Sequence, residues 1–567
     1  MRVVVLSLLL IGVVAVVFTA AADRPEGRWF ATRSVTVARH GMVAAAHPLA
    51  VQVGIDVLKR GGGAVDAAIA VNAALGLMEP VSAGLGGDLF AMVWDPTKGK
   101  LVGLNGSGRA PLALTPAKVP AQTDGTIPPY SPYSWTVPGC ADAWFDLHTR
   151  FGRLPMKDLL APTIAYAKEG VPVPQVIAGS WARSVAQFKD TPGFAEVFLA
   201  GGNAPAEGEP FANPALARTL EILAAEGRDA YYRGRIAEKI VAYSKRVGGF
   251  FAMEDFARHT SEWQEPISTT YRGVTVWELP PNGQGLAALE MLNILERFDL
   301  KALGRDNPDF WQIMVEAKKL AFADRARCYA DPAFFPAPLA ALLDKGYAAK
   351  QAARIDMRRA ARSVEPGNPA LRHGDTTFLV TADDRGMMVA LIQSNYTGFG
   401  SGYVVPELGF GLQDRGALFS LEAGHPNVLA PGKRPFHTII PAFLGRDGKP
   451  QMAFGVMGGD MQPQGHAQIV VNVVDFGMNL QEAGDAPRFY HTEDSEPTGT
   501  VMTNGGILSL ELGVPEEVRQ ALLRRGHKLV EASASVFGGY QAVWRDPATG
   551  VYFGASESRK DGCAMGY

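Results

Sequence analysis

Asp375-Thr376-Thr377 could do acyl-transfer chemistry if the chain cuts itself before Thr376. Cleavage there turns an internal threonine into an N-terminal one. Such a residue carries a hydroxyl nucleophile and, in its own α-amine, the base that activates it. The same letters also begin an ordinary β-strand, because Thr and Phe suit extended backbone. Thr376 is therefore read as the first residue of a strand and as a candidate nucleophile.

Acyl transfer also needs a group that holds the nucleophile and donors aimed at the developing oxyanion. Residues 376–381, the turn Ala382-Asp383-Asp384-Arg385-Gly386 and residues 387–394 read as a hairpin, which sets Ser394 opposite Thr376. A second hairpin runs from 438–444 through Gly445-Arg446-Asp447-Gly448 into 451–456. Its count sets His437 and Thr438 beside Met457-Gly458-Gly459. Gly458 and Gly459 lie between a strand and a helix over 465–474, so their N–H groups can approach a ligand closely. Taken alone, Ser394 also reads as a strand-end hydroxyl and Gly458-Gly459 as a tight turn.

The surrounding elements must position these groups. Pro48–Lys59 is amphipathic, Gly61-Gly62-Gly63 stops it, and Ala64–Met78 reads as a buried helix. A glycine turn, Ser82-Ala83-Gly84-Leu85-Gly86-Gly87-Asp88, leads into a strand over 89–94. A dinucleotide fingerprint would have the strand before the glycines, so the turn is structural. Residues 150–370 are mostly helical, with long helices expected over 310–329 and 346–362. Arg358, Arg359 and Arg362 give the second of these a solvated face, and residues 363–369 read as an exposed linker before the junction.

The 567 residues are 47% hydrophobic and 20% charged, an ordinary globular composition with enough chain for large cores. A net charge of −3 argues against a nucleic-acid partner. Cys140, Cys328 and Cys563 are too scattered for a disulfide framework or a metal site and read as small buried hydrophobes. No zinc, phosphate-loop or Gly-x-Ser-x-Gly motif occurs, and His373, His425, His437 and His466 share a region without metal-ligand spacing. No metal or cofactor is expected. Residues 1–22 read as an export signal, with Arg2, an apolar run over 3–17 and Ala20-Ala21-Ala22 before Asp23, which predicts a periplasmic or secreted protein. The uncharged run over 3–22 is long enough to remain as a membrane anchor.

Several motifs recur in order: Gly61-Gly62-Gly63-Ala64-Val65-Asp66-Ala67, Val137-Pro138-Gly139, Pro280-Pro281-Asn282-Gly283-Gln284-Gly285, Ala321-Phe322-Ala323-Asp324-Arg325-Ala326, Gly374-Asp375-Thr376-Thr377, Lys433-Arg434-Pro435 and Gly458-Gly459. With them the chain resembles the γ-glutamyltransferase (glutathione hydrolase) family of N-terminal nucleophile hydrolases over residues 44–567. Gln393-Ser394-Asn395-Tyr396 and Asp460-Met461-Gln462-Pro463-Gln464-Gly465 are similar to a divergent branch of γ-glutamyltransferase-like proteins and cephalosporin acylases, related to an oxamate amidase. The resemblance implies an α+β fold, the four-layer αββα sandwich. It also implies a precursor cut between Asp375 and Thr376 into a heterodimer of 23–375 and 376–567. Thr376 becomes the nucleophile, Ser394 stands for a threonine beside it, and Gly458 and Gly459 become the oxyanion donors.

The substrate side departs from the family pattern. γ-Glutamyl enzymes bind the α-carboxylate with an arginine and the α-amine with an aspartate. The arginine position falls on Ser107, but Arg109 lies two residues on, and along a strand that keeps the same face. The aspartate position falls on Leu418, which cannot accept from an ammonium group; Asp414 and Arg415 lie nearby. A serine pair becomes His437 and Thr438, an asparagine becomes Tyr396, and the segment 421–433 is too short for a lid. The expected substrate contacts are therefore Arg109, Tyr396, Asp414, Arg415, His437 and Thr438. Three readings follow: an amidohydrolase or acyltransferase of γ-glutamyl amides such as glutathione; the same mechanism on another acyl amide whose carboxylate meets Arg109 or Arg415; or an exported binding protein without turnover.

Overall fold

A computed structural model describes residues 33–120, 122, 125–364, 368–369 and 375–567. The expected export signal and most of the segment before Asp375 lie outside the described residues. Two seven-stranded antiparallel sheets stack face to face with helices outside each, the αββα order of an N-terminal nucleophile hydrolase.

In the first sheet Met388–Tyr396 is central, paired with Asp375–Ala382 on one side and Asp88–Asp95 on the other. Met42–Ala45 and Cys563–Gly566 continue one edge; Lys100–Gly106 and Glu262–Gln264 continue the other. The nine residues of Met388–Tyr396 are all buried, as expected of a strand covered on both faces. Alternation then sorts its neighbours. Phe90, Met92, Phe378, Val380 and Ile392 meet Phe443, Ala453, Met457 and Val543 of the second sheet. Leu89, Ala91, Val93, Leu379 and Leu391 meet Pro48–Lys59 and Ala64–Met78. On the far side, Val276, Leu444, Phe454 and Val456 pack against Gly285–Leu295, Pro308–Cys328 and Met461–Val474.

The helices Pro48–Lys59 and Ala64–Met78 form over the expected residues, and the first of the three glycines between them, Gly61, has φ +92°. Two expectations change. The helix expected over 346–362 is Lys345–Ala352 only. Beyond it the chain bonds to side chains of Pro308–Cys328: Gln312 Nε2 donates to the Asp356 and Arg359 carbonyls, and Lys319 Nζ to that of Ala361. Those carbonyls are therefore spent outside any helix. Arg358, Arg359 and Arg362 are exposed. In the second hairpin the strand begins at Ala442, not 438, and a bulge separates Leu444 from Gly445. The turn is Asp447-Gly448, both at positive φ, which matches the twist of a tight hairpin. The three cysteines are free.

Candidate active site

Thr376 is the second residue of its strand and is wholly buried. The hairpin pairs Asp375 with Tyr396 and Thr377 with Gln393, and the irregularity between them brings Thr376 Oγ1 to donate to Ser394 Oγ at 3.3 Å. The same Ser394 oxygen accepts the Tyr396 N–H at 2.8 Å. Tyr396 sits at φ +83°, a backbone region costly for a non-glycine residue, so this last turn of the strand is held by its surroundings. Thr377, on the opposite face, donates to Glu79 Oε2 at 2.7 Å. The glycine turn before Asp88 lies directly against this strand end. A Cβ on Gly87 would come within 2.5 Å of the Ser394 carbonyl oxygen.

Gly458 and Gly459 follow the strand Lys449–Met457 and precede the helix Met461–Val474, with φ +120° and +59°. Among the described residues neither N–H meets an acceptor, while the Gly458 carbonyl accepts from Met461 N and the Gly459 carbonyl from Gln462 N. The glycines' register with Thr438 is set by a side chain instead of a ladder. Gln284 Nε2 donates to the Thr438 carbonyl at 2.7 Å and to the Gly459 carbonyl at 2.9 Å. Gln284 Oε1 accepts from Arg325 Nη1 at 2.6 Å, and that buried arginine is paired with Asp460 and Glu496.

The segment carrying His437 and Thr438 is braced by the loop 280–285. His437 N donates to the Asn282 carbonyl at 2.8 Å, and Asn282 Nδ2 to the Pro435 carbonyl at 2.8 Å. His437 Nε2 faces Asp88 Oδ2 at 3.1 Å, and its Nδ1 accepts from Ile439 N at 3.4 Å, which assigns the proton to Nε2. Burial, with Arg415 and Arg434 nearby, pulls this imidazole down to about 3, so it is neutral at ordinary pH. Asp88 also accepts from Gly108 N, Gly139 N and Gln413 Nε2, and it lies across the sheet from Ser394.

Arg415 is fully buried over the Tyr396 ring, with the guanidinium carbon 4.6 Å from the ring centroid. Its Nη1 donates to Thr438 Oγ1 at 2.7 Å, while Nε and Nη2 have no partner among the described residues. Burial pulls the group down to about 10, still cationic at neutral pH. Leu418 is buried in the apolar core that includes Tyr396 and Phe436. Asp414 is occupied: its carboxylate takes the Thr397 N–H at 3.1 Å and hydroxyl at 2.5 Å.

Arg109 does not join this group. The strand Lys100–Gly106 has ended, so strand alternation does not carry over to residue 109. Its guanidinium pairs with Glu262 at 2.6 Å on a separate cavity lined by Asp255, Arg258 and His259. The same Glu262 holds Arg434 at 2.7 Å, and Arg434 Nε donates to the Ser107 carbonyl.

The sequence model of the Gamma-glutamyltranspeptidase family matches residues 50–567. The chain belongs to that family. It is 35% identical to the glutathione hydrolase-like YwrD proenzyme of Bacillus subtilis, over 93% of this chain and 98% of that protein. It is 34% identical to the oxamate amidohydrolase proenzyme of Klebsiella pneumoniae, over 94% of this chain and the whole of that one. A crystal structure of cephalosporin acylase from Bacillus halodurans superposes with a TM-score of 0.87 at 43% identity, covering 96% of this chain and 99% of that one.

Within this gamma-glutamyltranspeptidase frame, four residues of the site carry no chemical signal in the sequence: Asp88, Gln284, Arg325 and Arg434. Each sits in a motif that reads as a turn, a helix or a family signature. Only their buried charge or amide, in strings otherwise rich in Gly, Pro and Ala, could have marked them.

Proposed function

We propose that the chain is a self-processing amide hydrolase that cuts between Asp375 and Thr376, giving fragments 23–375 and 376–567. The freed Thr376 hydroxyl, activated by its own amine, attacks the carbonyl of an acyl amide. Ser394 holds the hydroxyl, the Gly458 and Gly459 N–H groups receive the oxyanion, and water or an amine takes the acyl group. Relatives named as proenzymes, and the Thr376–Ser394 contact, support this reading. The apolar run over 3–17 supports export.

For the acyl group, we infer a carboxylate at the end away from the scissile bond and no ammonium group. The observation that carries this is Arg415, buried with two N–H faces open and a third on Thr438, beside an apolar Leu418. A buried guanidinium is stabilised when a carboxylate meets it in a two-point fork. The names of the oxamate amidohydrolase and cephalosporin acylase relatives fit such substrates. A second reading keeps γ-glutamyl amides such as glutathione. In its favour, Gln413 Oε1 is buried without a donor among the described residues and would accept an ammonium N–H. Rates on glutaryl and γ-glutamyl anilides decide between them, since the two acyl groups differ only by the amine. Glutaryl at least equal to γ-glutamyl is expected; a γ-glutamyl preference above tenfold would reject the first reading.

A further inference from the structure

A cavity of about 290 Å³ opens on the oxyanion glycine, and its wall includes Gly458, Thr397, Gly398, Tyr490, Arg183 and Lys560. Among the described residues no carboxylate lines it. Among the described residues neither Arg183 nor Lys560 has an ion-pair partner; Arg183 Nη2 donates to Ser180 Oγ at 2.9 Å. The neighbouring Arg559 shows the contrast, being paired with both Glu511 and Glu557.

The elements that bear the two cations are tied to each other and lie against those flanking Gly458. Asp561 caps the helix Gln175–Phe188, accepting from Val176 N at 3.1 Å and Ile177 N at 3.0 Å, so the loop bearing Lys560 is tied to the helix bearing Arg183. The Lys560 stem lies against Gly539, and a Cβ on Gly458 would sit 3.2 Å from Gly538. Ser184, one residue from Arg183, abuts Gly398. A concave surface with two unpaired cations and no acid attracts anions.

Resting on the hydrolase reading, we propose that this cavity is the leaving-amine side of the site and takes an amine bearing a carboxylate, held by Arg183 and Lys560. Thr376 Oγ bonds to the carbonyl carbon and its proton passes to the α-amine. The C–N bond then breaks, and that proton moves to the departing nitrogen. The freed amine, with its carboxylate, occupies the cavity until water or a second such amine replaces it.

The test uses the processed enzyme and one acyl group, glutaryl, on 4-nitroaniline and on 3-carboxy-4-nitroaniline. In Arg183→Gln and Lys560→Gln the kcat/KM ratio of carboxylated to neutral anilide is expected to fall about fivefold each, mostly through KM, the size of an exposed charge pair. An unchanged ratio, including a uniform loss on both anilides, overturns the proposal. Calorimetric binding of 5-amino-2-nitrobenzoate, the carboxylated amine itself, needs no turnover. Binding that weakens in both variants and with salt supports the site; absence of binding to the wild type removes it. Failure of the chain to cut at Thr376, with this binding intact, would instead remove the hydrolase reading.

Discussion

Arg325 Nη1 donates to Gln284 Oε1 at 2.6 Å, and through that contact a buried cation orients the turn that holds Gly458 and Gly459. Gln284 has one amide to present. With its oxygen on Arg325, its nitrogen must face the Gly459 and Thr438 carbonyls, and the Gly459–Asp460 peptide plane is set. Gln284→Leu keeps the volume and removes both donors. We expect kcat to fall about tenfold to a hundredfold, with KM little changed, because the N–H groups lose their aim rather than the substrate its contacts. Steady-state kinetics check this.

Arg325→Met leaves Asp460 and Glu496 without their cation. Removing one partner of a buried pair costs about 3–5 kcal/mol, so a large fall in melting temperature is expected. A change of under a degree would show that the pair does not support the fold.

Thr376→Ala is expected to remain one uncut band on a denaturing gel and to have no amidase activity. Ser394→Ala should still cut, but more slowly, with kcat down about tenfold, since one hydrogen bond holding the hydroxyl is lost. Cleavage in Thr376→Ala would end the proposal.

Arg415→Met should lose at least about tenfold in kcat/KM on glutaryl anilide, as a charge-assisted hydrogen bond contributes roughly 1.5–3 kcal/mol. The expected loss on an uncharged acyl anilide such as butyryl is smaller. Equal losses on both would place Arg415 among structural residues.

The acid limb of the pH–rate profile is expected from the Thr376 amine, whose ordinary value lies at about 8. His437, held down to about 3 by burial, is already neutral there and should not contribute. His437→Asn therefore lowers the rate without moving the limb; a shift of the limb would implicate the imidazole. Asp414 is pushed up by burial to about 7. The folded state then holds that proton more tightly than the unfolded one, so this carboxyl's contribution to stability falls as pH rises from about 4 to about 7. Melting temperatures of wild type minus Asp414→Asn should decline over that window.

Hairpins are local, and the first was legible: alternation and the turn at 382–386 bring Ser394 to Thr376. The second hairpin was legible only in part. Thr438 does lie beside Gly459, yet no strand pairing joins them; Gln284, from a distant loop, does. The expected helix over 346–362 failed for a similar reason, because Gln312 and Lys319 take its backbone carbonyls. Arg109 was misplaced because strand alternation was extended past Gly106, where the strand stops.

By itself, then, the sequence determined the family and the meeting of Ser394 with Thr376, since these rest on ordered motifs or on neighbours along the chain. Which arginine lies beside Tyr396 and Thr438 was decided only by the tertiary structure. Arg109 and Arg415 carry the same charge; Glu262 claims the first, while packing buries the second over Tyr396 with two N–H groups unpartnered among the described residues. That choice depends on contacts between residues far apart in the chain, which no local pattern encodes.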